Sequence, residues 1–179
     1  TDPQVRRRYG KNKQTSRMGV NENLAREILE LHTLGVNGGY KQADVVELAK
    51  TISGWSVTTR EGLGEARGLY GFVWYADTHE PGERTILGKH YPAGGLEQGE
   101  SVLRDLARHP STADFIATKL ARHFTSDEPP ASLVRKLRKK FLDEGGELKP
   151  LYRALIESDE AWKPDAAKFK RPEEFLISA

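Results

Sequence analysis

Apolar side chains recur at helical spacing near the start of this chain and again through its second half, and lose that rhythm in between. Leu24, Ile28 and Leu31 stack on one face of a helix predicted over about 22–34, with Ala25 and Leu29 on its flank. Asn21 stands at the N-cap position. Glu22, Arg26 and Glu30 alternate in charge along the opposite face at i, i+4, i+8. Gly35-Val36 suits a left-handed C-terminal cap with its hydrophobic contact. After the tight turn Asn37-Gly38-Gly39, the residues Val45, Val46, Leu48, Ala49 and Ile52 mark a second helix over about 42–53 that stops at Gly54. The pair makes a helical hairpin.

Residues 56–98 change character: glycine recurs, and Leu69 to Tyr75 is aromatic and β-favouring. The turn signal Glu80-Pro81-Gly82-Glu83 leads into Thr85-Ile86-Leu87, and we read an irregular segment with one short β-hairpin. Helices resume over about 97–108, 112–124, 131–144 and 147–158, and another begins at Phe169. Ser111 is the expected N-cap of the second of these, with Asp114 at N3 in a box-like start. The predicted fold is mainly α, a helical bundle-like array of about six to seven helices with one irregular Gly-rich segment at 56–98. Residues 1–18 read as a basic flexible tail or loop, and 19–179 as a single helical domain, a portion of a larger one.

Charge sharpens the boundary of that tail. The 179-residue chain is net +2, but residues 1–17 carry six basic side chains against Asp2 alone, so the remainder is net negative. A solvated linker accounts for the tail, and so does a phosphate-contacting arm. The Arg135, Lys136, Arg138, Lys139, Lys140 cluster is interleaved with Leu133, Val134, Leu137 and Phe141, the pattern of a helix with a wet charged face. The absence of cysteine excludes disulfides, thiolate zinc sites and cysteine nucleophiles. No run reaches the length of a membrane span, and no export signal is read at the N-terminus.

Chemistry is sparse. The turn around Gly38-Gly39 lacks the oxygen ligands of a calcium loop, and no GxSxG, HExxH or phosphate-loop lysine motif is present. Gly62-Leu63-Gly64 lacks the third glycine and the preceding strand of a dinucleotide site. His109 reads as a cap at a helix C-terminus, while His123 and His32 read as satisfied at a core edge or cap. His79 with Glu80 and Arg84, on a Gly/Pro-shaped loop with His90 eleven residues on, could serve as acid–base or metal ligands; the same residues could simply tie the loop to the helices. Asn21, Glu22, Arg26 and Glu27, with His32, form a second polar cluster, which suits helix-face salt bridging or binding. No metal set and no cofactor motif is assigned.

Several of these segments, taken in order, resemble one family. Asn21 to Val36 (NENLAREILELHTLGV), Gly38-Gly39-Tyr40, Gln42-x-Asp44-Val45, Thr51 and Gly54-Trp55 closely resemble the bacterial "domain of unknown function 1800". His79-Glu80-x-Gly82-x-Arg84-x-x-Leu87-Gly88 is similar to its HDxGxKxxLG segment. Leu106 to Leu120 and Lys168 to Phe175 match as well. Three positions depart. Lys41 replaces a threonine, which removes a capping hydroxyl and predicts a less anchored second helix. Glu80 and Arg84 replace Asp and Lys, which keeps charge but alters reach. The resemblance is to the C-terminal part of the family domain. It implies a mostly helical, often exported or periplasmic bacterial protein whose gene tends to neighbour one for a sulfatase-like family, a candidate protein partner alongside the rest of the parent protein. It supplies no reaction.

The leading functional expectation is therefore an accessory or binding domain of a cell-envelope protein. The alternative is a hydrolase-type enzyme, with His79 and Glu80 as an acid–base or metal site and Arg26 or Arg84 holding an anionic substrate. Nucleic-acid binding through residues 1–17 ranks third, because the rest of the chain is net negative.

Overall fold

A computed structural model describes residues 20–57, 71–163 and 172–178. The basic tail, residues 58–70 and Lys168–Arg171 of the last motif lie outside the described residues. The fold is mainly α, with seven α-helices and two small antiparallel strand pairs among the described residues.

Helix α1, Glu22–Glu27, runs into a π-helical turn over Ile28–His32. Asn21 caps it as expected, its Oδ1 accepting the Leu24 N–H at 3.0 Å. The predicted buried face is rotated. Ala25 and Leu29 are fully buried, whereas Leu24 and Leu31 are about half exposed. A small side chain at Ala25 lets α2 approach closely. The wider π turn shifts the phase, so that Leu34 follows Leu29 inward and Leu31 swings out. His32 lies exposed on that outer side instead of packing or capping. Gly35 adopts φ +81°, as a left-handed cap requires, but Val36 is left 67% exposed.

Helix α2, Gln42–Thr51, buries Val45, Leu48, Ala49 and Thr51. Its start is anchored without the hydroxyl that Lys41 displaces. Asp44 at N3 reaches back, and its Oδ2 accepts the Lys41 N–H at 2.7 Å.

The irregular segment holds two strand pairs where one hairpin was expected. Strand β1, Trp55–Val57, pairs with β2, Phe72–Trp74; β3, Arg84–Ile86, pairs with β4, Lys89–Tyr91. The second hairpin turns at Leu87-Gly88, not at Pro81-Gly82. Both turn residues have positive φ, +52° and +76°, the conformation that matches the twist of adjacent strands. Leu87 is the non-glycine residue at positive φ among the described residues, and Asp44 Oδ1 holds its N–H at 2.7 Å.

Helix α3, Leu96–Ala107, closes the first core, in which Ala25, Leu29, Val45, Leu48, Ile86, Tyr91, Val102 and Leu106 are buried together. Burial, then the hydrogen bond to Asp105, raises the Tyr91 phenol pKa well above its ordinary value. A second core joins α4, Pro110–Phe124, α5, Ala131–Asp143, and α6, Leu148–Ile156. Ala113, Ala117 and Ala121 line one face of α4 against Leu133, Leu137 and Phe141 of α5, with Leu151 and Leu155 of α6 completing the layer. A 3₁₀ turn, Asp159–Trp162, follows, and α7 spans Pro172–Ser178.

Helix α4 begins two residues earlier than predicted. Pro110 takes N1, where a missing N–H costs nothing, and His109 is the N-cap in place of Ser111. Asp114 consequently lies deeper in the helix and pairs with Arg138 at 2.6 Å. His123 is exposed, its ring edge-on to Phe124 at 4.6 Å, not tucked at the core edge.

Candidate functional site

His79 sits on the loop between the Ala76–Thr78 turn and β3. Its Nδ1 lies 3.0 Å from the Ser53 carbonyl and its Nε2 3.1 Å from the Gly94 carbonyl. Both ring nitrogens thus face backbone acceptors, and the ring bridges the turn after α2 to the turn before α3. Glu80 joins through its backbone. Its N–H donates to Ser53 Oγ at 2.7 Å and its carbonyl accepts from Arg84 Nη2 at 2.6 Å, while the residue itself is exposed.

Arg84 is 7% exposed and gathers the loop around its guanidinium. Nη2 also donates to the Pro81 carbonyl at 3.1 Å, Nη1 donates to the Glu83 carbonyl at 3.0 Å, and Glu47 Oε2 stands 3.9 Å from Nε. A lysine could not collect this set from one planar fork. Gly82, at φ +122°, passes close enough that a Cβ would stand 3.2 Å from Nη1. Gln98 completes the frame, its Nε2 donating to the Gly82 and Pro92 carbonyls. Ser53, Glu47 and Gln98 were not legible as partners: Ser53 lies 26 and 27 residues from His79 and Glu80, Glu47 lies 37 from Arg84, and Gln98 lies 16 and 6 from Gly82 and Pro92, with nothing in their local spacing to point there. His90 is exposed on β4, opposite Thr85.

The second cluster joins α1 to the start of α2. Arg26 donates to Gln42 Oε1, and Gln42 Nε2 donates to Glu22 Oε2 at 2.7 Å, so Gln42 mediates the charge alternation of α1. The Tyr40 hydroxyl donates to Glu30 at 3.0 Å, and burial followed by that bond raises its pKa. Glu27 and His32 are exposed. This cluster sits at the N-terminal end of α2, while Ser53 and His79 sit just past its C-terminal end. Ten residues of helix hold the two about 15 Å apart. The structure therefore brings His79, Glu80 and Arg84 together, and Asn21, Glu22 and Arg26 together, as two separate groups. No group of three or more His, Asp or Glu side chains placed to hold a metal occurs among the described residues.

A third feature lies at the N-terminal end of α2. A cleft of about 400 Å³ is lined by Gly38, Gly39, Lys41, Asp44, Leu87, Gly88 and His109. Three separate stretches of chain form it: the turn before α2, the β3–β4 turn and the α4 cap.

Large apolar side chains are also left outward. Leu148, Tyr152 and Ile156, at i, i+4, i+8 on α6, are 42%, 44% and 61% exposed. Trp162, 71% exposed, stands beside them, its indole N–H donating to the Ile156 carbonyl at 2.7 Å. No helix among the described residues is long and apolar enough to cross a membrane.

No curated protein and no solved structure matches the chain with significance. A family model does, over residues 7–179, and the chain belongs to that family, described as protein of unknown function (DUF1800).

Proposed function

We propose that this chain is an accessory domain of a cell-envelope protein and works by binding a partner protein. The observation that carries the reading is the ridge of Leu148, Tyr152, Ile156 and Trp162, four large apolar side chains aligned along one outer edge of the second core. The opposite side of the same helix, Leu151 and Leu155, already supplies that core, so the ridge is surplus to folding. The envelope setting rests on the family resemblance alone. The hydrolase reading has the weaker support. His79 presents both nitrogens to backbone carbonyls and Glu80 contributes its backbone, which suits a loop clamp better than a proton shuttle. The nucleic-acid reading concerns residues outside those described.

The test places a photo-crosslinking residue at Tyr152 of the full chain and exposes it to envelope extract. One dominant crosslinked protein is expected, lost on adding Ile156→Asp and kept on adding Lys139→Ala. Absence of any dominant species, or capture indifferent to Ile156→Asp, defeats the reading.

A further inference from the structure

The cleft between α2, the β3–β4 turn and α4 has a chemistry that neither polar cluster shares. Its one carboxylate is fully engaged: Asp44 Oδ2 accepts the Lys41 N–H and Oδ1 accepts the Leu87 N–H, each at 2.7 Å. Asp44 is thus occupied in holding the cleft's walls. It fixes the start of α2 on one side and the positive-φ turn at Leu87-Gly88 on the other.

The remaining polar side chains are donors. Lys41 is exposed, and its ammonium makes no ion pair among the described residues. His109 is oriented by its own helix. Its Nδ1 accepts the Ser111 N–H at 3.1 Å, so Nδ1 is the unprotonated nitrogen and the ring proton sits on Nε2. That tautomer makes the imidazole a hydrogen-bond donor at Nε2, in the manner of histidines that polarise an oxygen instead of removing a proton. Gly39 and Gly88 leave the cleft open, since a Cβ at either would meet nothing within 4 Å.

A polar recess that offers an ammonium and an imidazole N–H, and whose sole carboxylate is already hydrogen-bonded, fits an occupant that brings acceptor oxygens and negative charge. We propose that this cleft is a binding site for a small oxyanion, a phosphoryl or carboxylate group, held between Lys41 Nζ and His109 Nε2–H. The site is independent of the α6 ridge and of the partner-binding reading.

The test is an NMR titration of the full chain with sodium phosphate and, separately, sodium acetate, with ionic strength held constant by chloride. Saturable shifts are expected at the Gly39, Gly88 and Leu87 amides and at the His109 ring, with a Kd of about 1 mM or below for one of the two ions. Whichever ion saturates identifies the group as phosphoryl or carboxylate. Lys41→Met and His109→Asn should each weaken that binding by at least about tenfold. Asparagine remains a good N-cap, so the second variant removes the Nε2 donor while keeping α4 capped; His109→Ser is the substitute should it fold poorly. Neither ion saturating at these residues, or binding that survives either substitution unchanged, overturns the proposal.

Discussion

The first core, around α2, and the second, across α4 to α6, are held by different means. In the first, side chains reach across the sequence to backbone groups. His79 bridges the Ser53 and Gly94 carbonyls, Arg84 gathers the Glu80, Pro81 and Glu83 carbonyls, Gln98 takes those of Gly82 and Pro92, and Asp44 takes two N–H groups. In the second, helices meet through apolar ridges, and the ion pairs among the described residues lie on the surface. Arg138–Asp114, Lys139–Asp143 and Lys140–Glu144 are all substantially solvated and contribute little. Short strands and irregular loops leave carbonyls that no ladder or helix satisfies, and an interior holding them needs donors. A helical interior satisfies its own backbone and can be filled with Ala, Leu and Phe. The two regions touch where Gly35 meets the Phe115 ring, too closely for a Cβ.

The largest effect should come from Leu137→Ala, which opens a cavity at a fully buried position of α5. The expected loss of unfolding free energy, read from chemical denaturation, is roughly 2–5 kcal/mol. Hydrogen exchange should show protection falling in α4 to α6 before α2 and α3; an equal fall in both would mean that the two cores unfold as one.

A smaller loss, about 1–3 kcal/mol, is expected for Arg84→Met, which keeps the aliphatic stem and strips donors from three carbonyls. Its exchange signature should be the reverse, confined to residues 79–98 and the end of α2. An unchanged melting temperature would show that the carbonyl clamp does not stabilise this core.

The smallest effect concerns acid. Burial pushes Asp105 up, but hydrogen bonds from Lys89 and Tyr91, with the attraction of Lys89 and Arg104, leave its pKa below the usual aspartate value. A depressed folded-state pKa stabilises above the unfolded value near 4 and is lost as pH falls through the folded one. Asp105→Asn should therefore be less stable than the parent at neutral pH, by under about 1 kcal/mol, with the gap closing as pH falls below the usual aspartate value. Urea midpoints across pH measure this, and a constant gap would contradict it.

Legibility in the sequence follows the same division. The spacing of Leu133, Leu137 and Phe141 marked in advance the face of α5 that the second core buries, because a helix there buries a regular stripe. Helix α2 was equally plain. The first helix misled, since Leu24-Ile28-Leu31 is the more apolar stripe, yet the π turn and the need for a close approach at Ala25 bury the flank. His109 also changed place, from the end of α3 to the start of α4. His-Pro reads equally well as a stop and as a cap, and the Ser111 N–H decides between them.

Composition and spacing alone determined the mainly helical class, the order of the helices and the loss of regularity after Gly54. These depend on local propensity and on periods of a few residues. Tertiary structure decided what the polar residues do. It put His79 between two carbonyls, set about 15 Å of helix between the two clusters, and brought Lys41, Asp44, Leu87 and His109 around one cleft. Hydrogen-bond partners separated by tens of residues leave no trace in local spacing, because only the packed chain brings them within 3 Å.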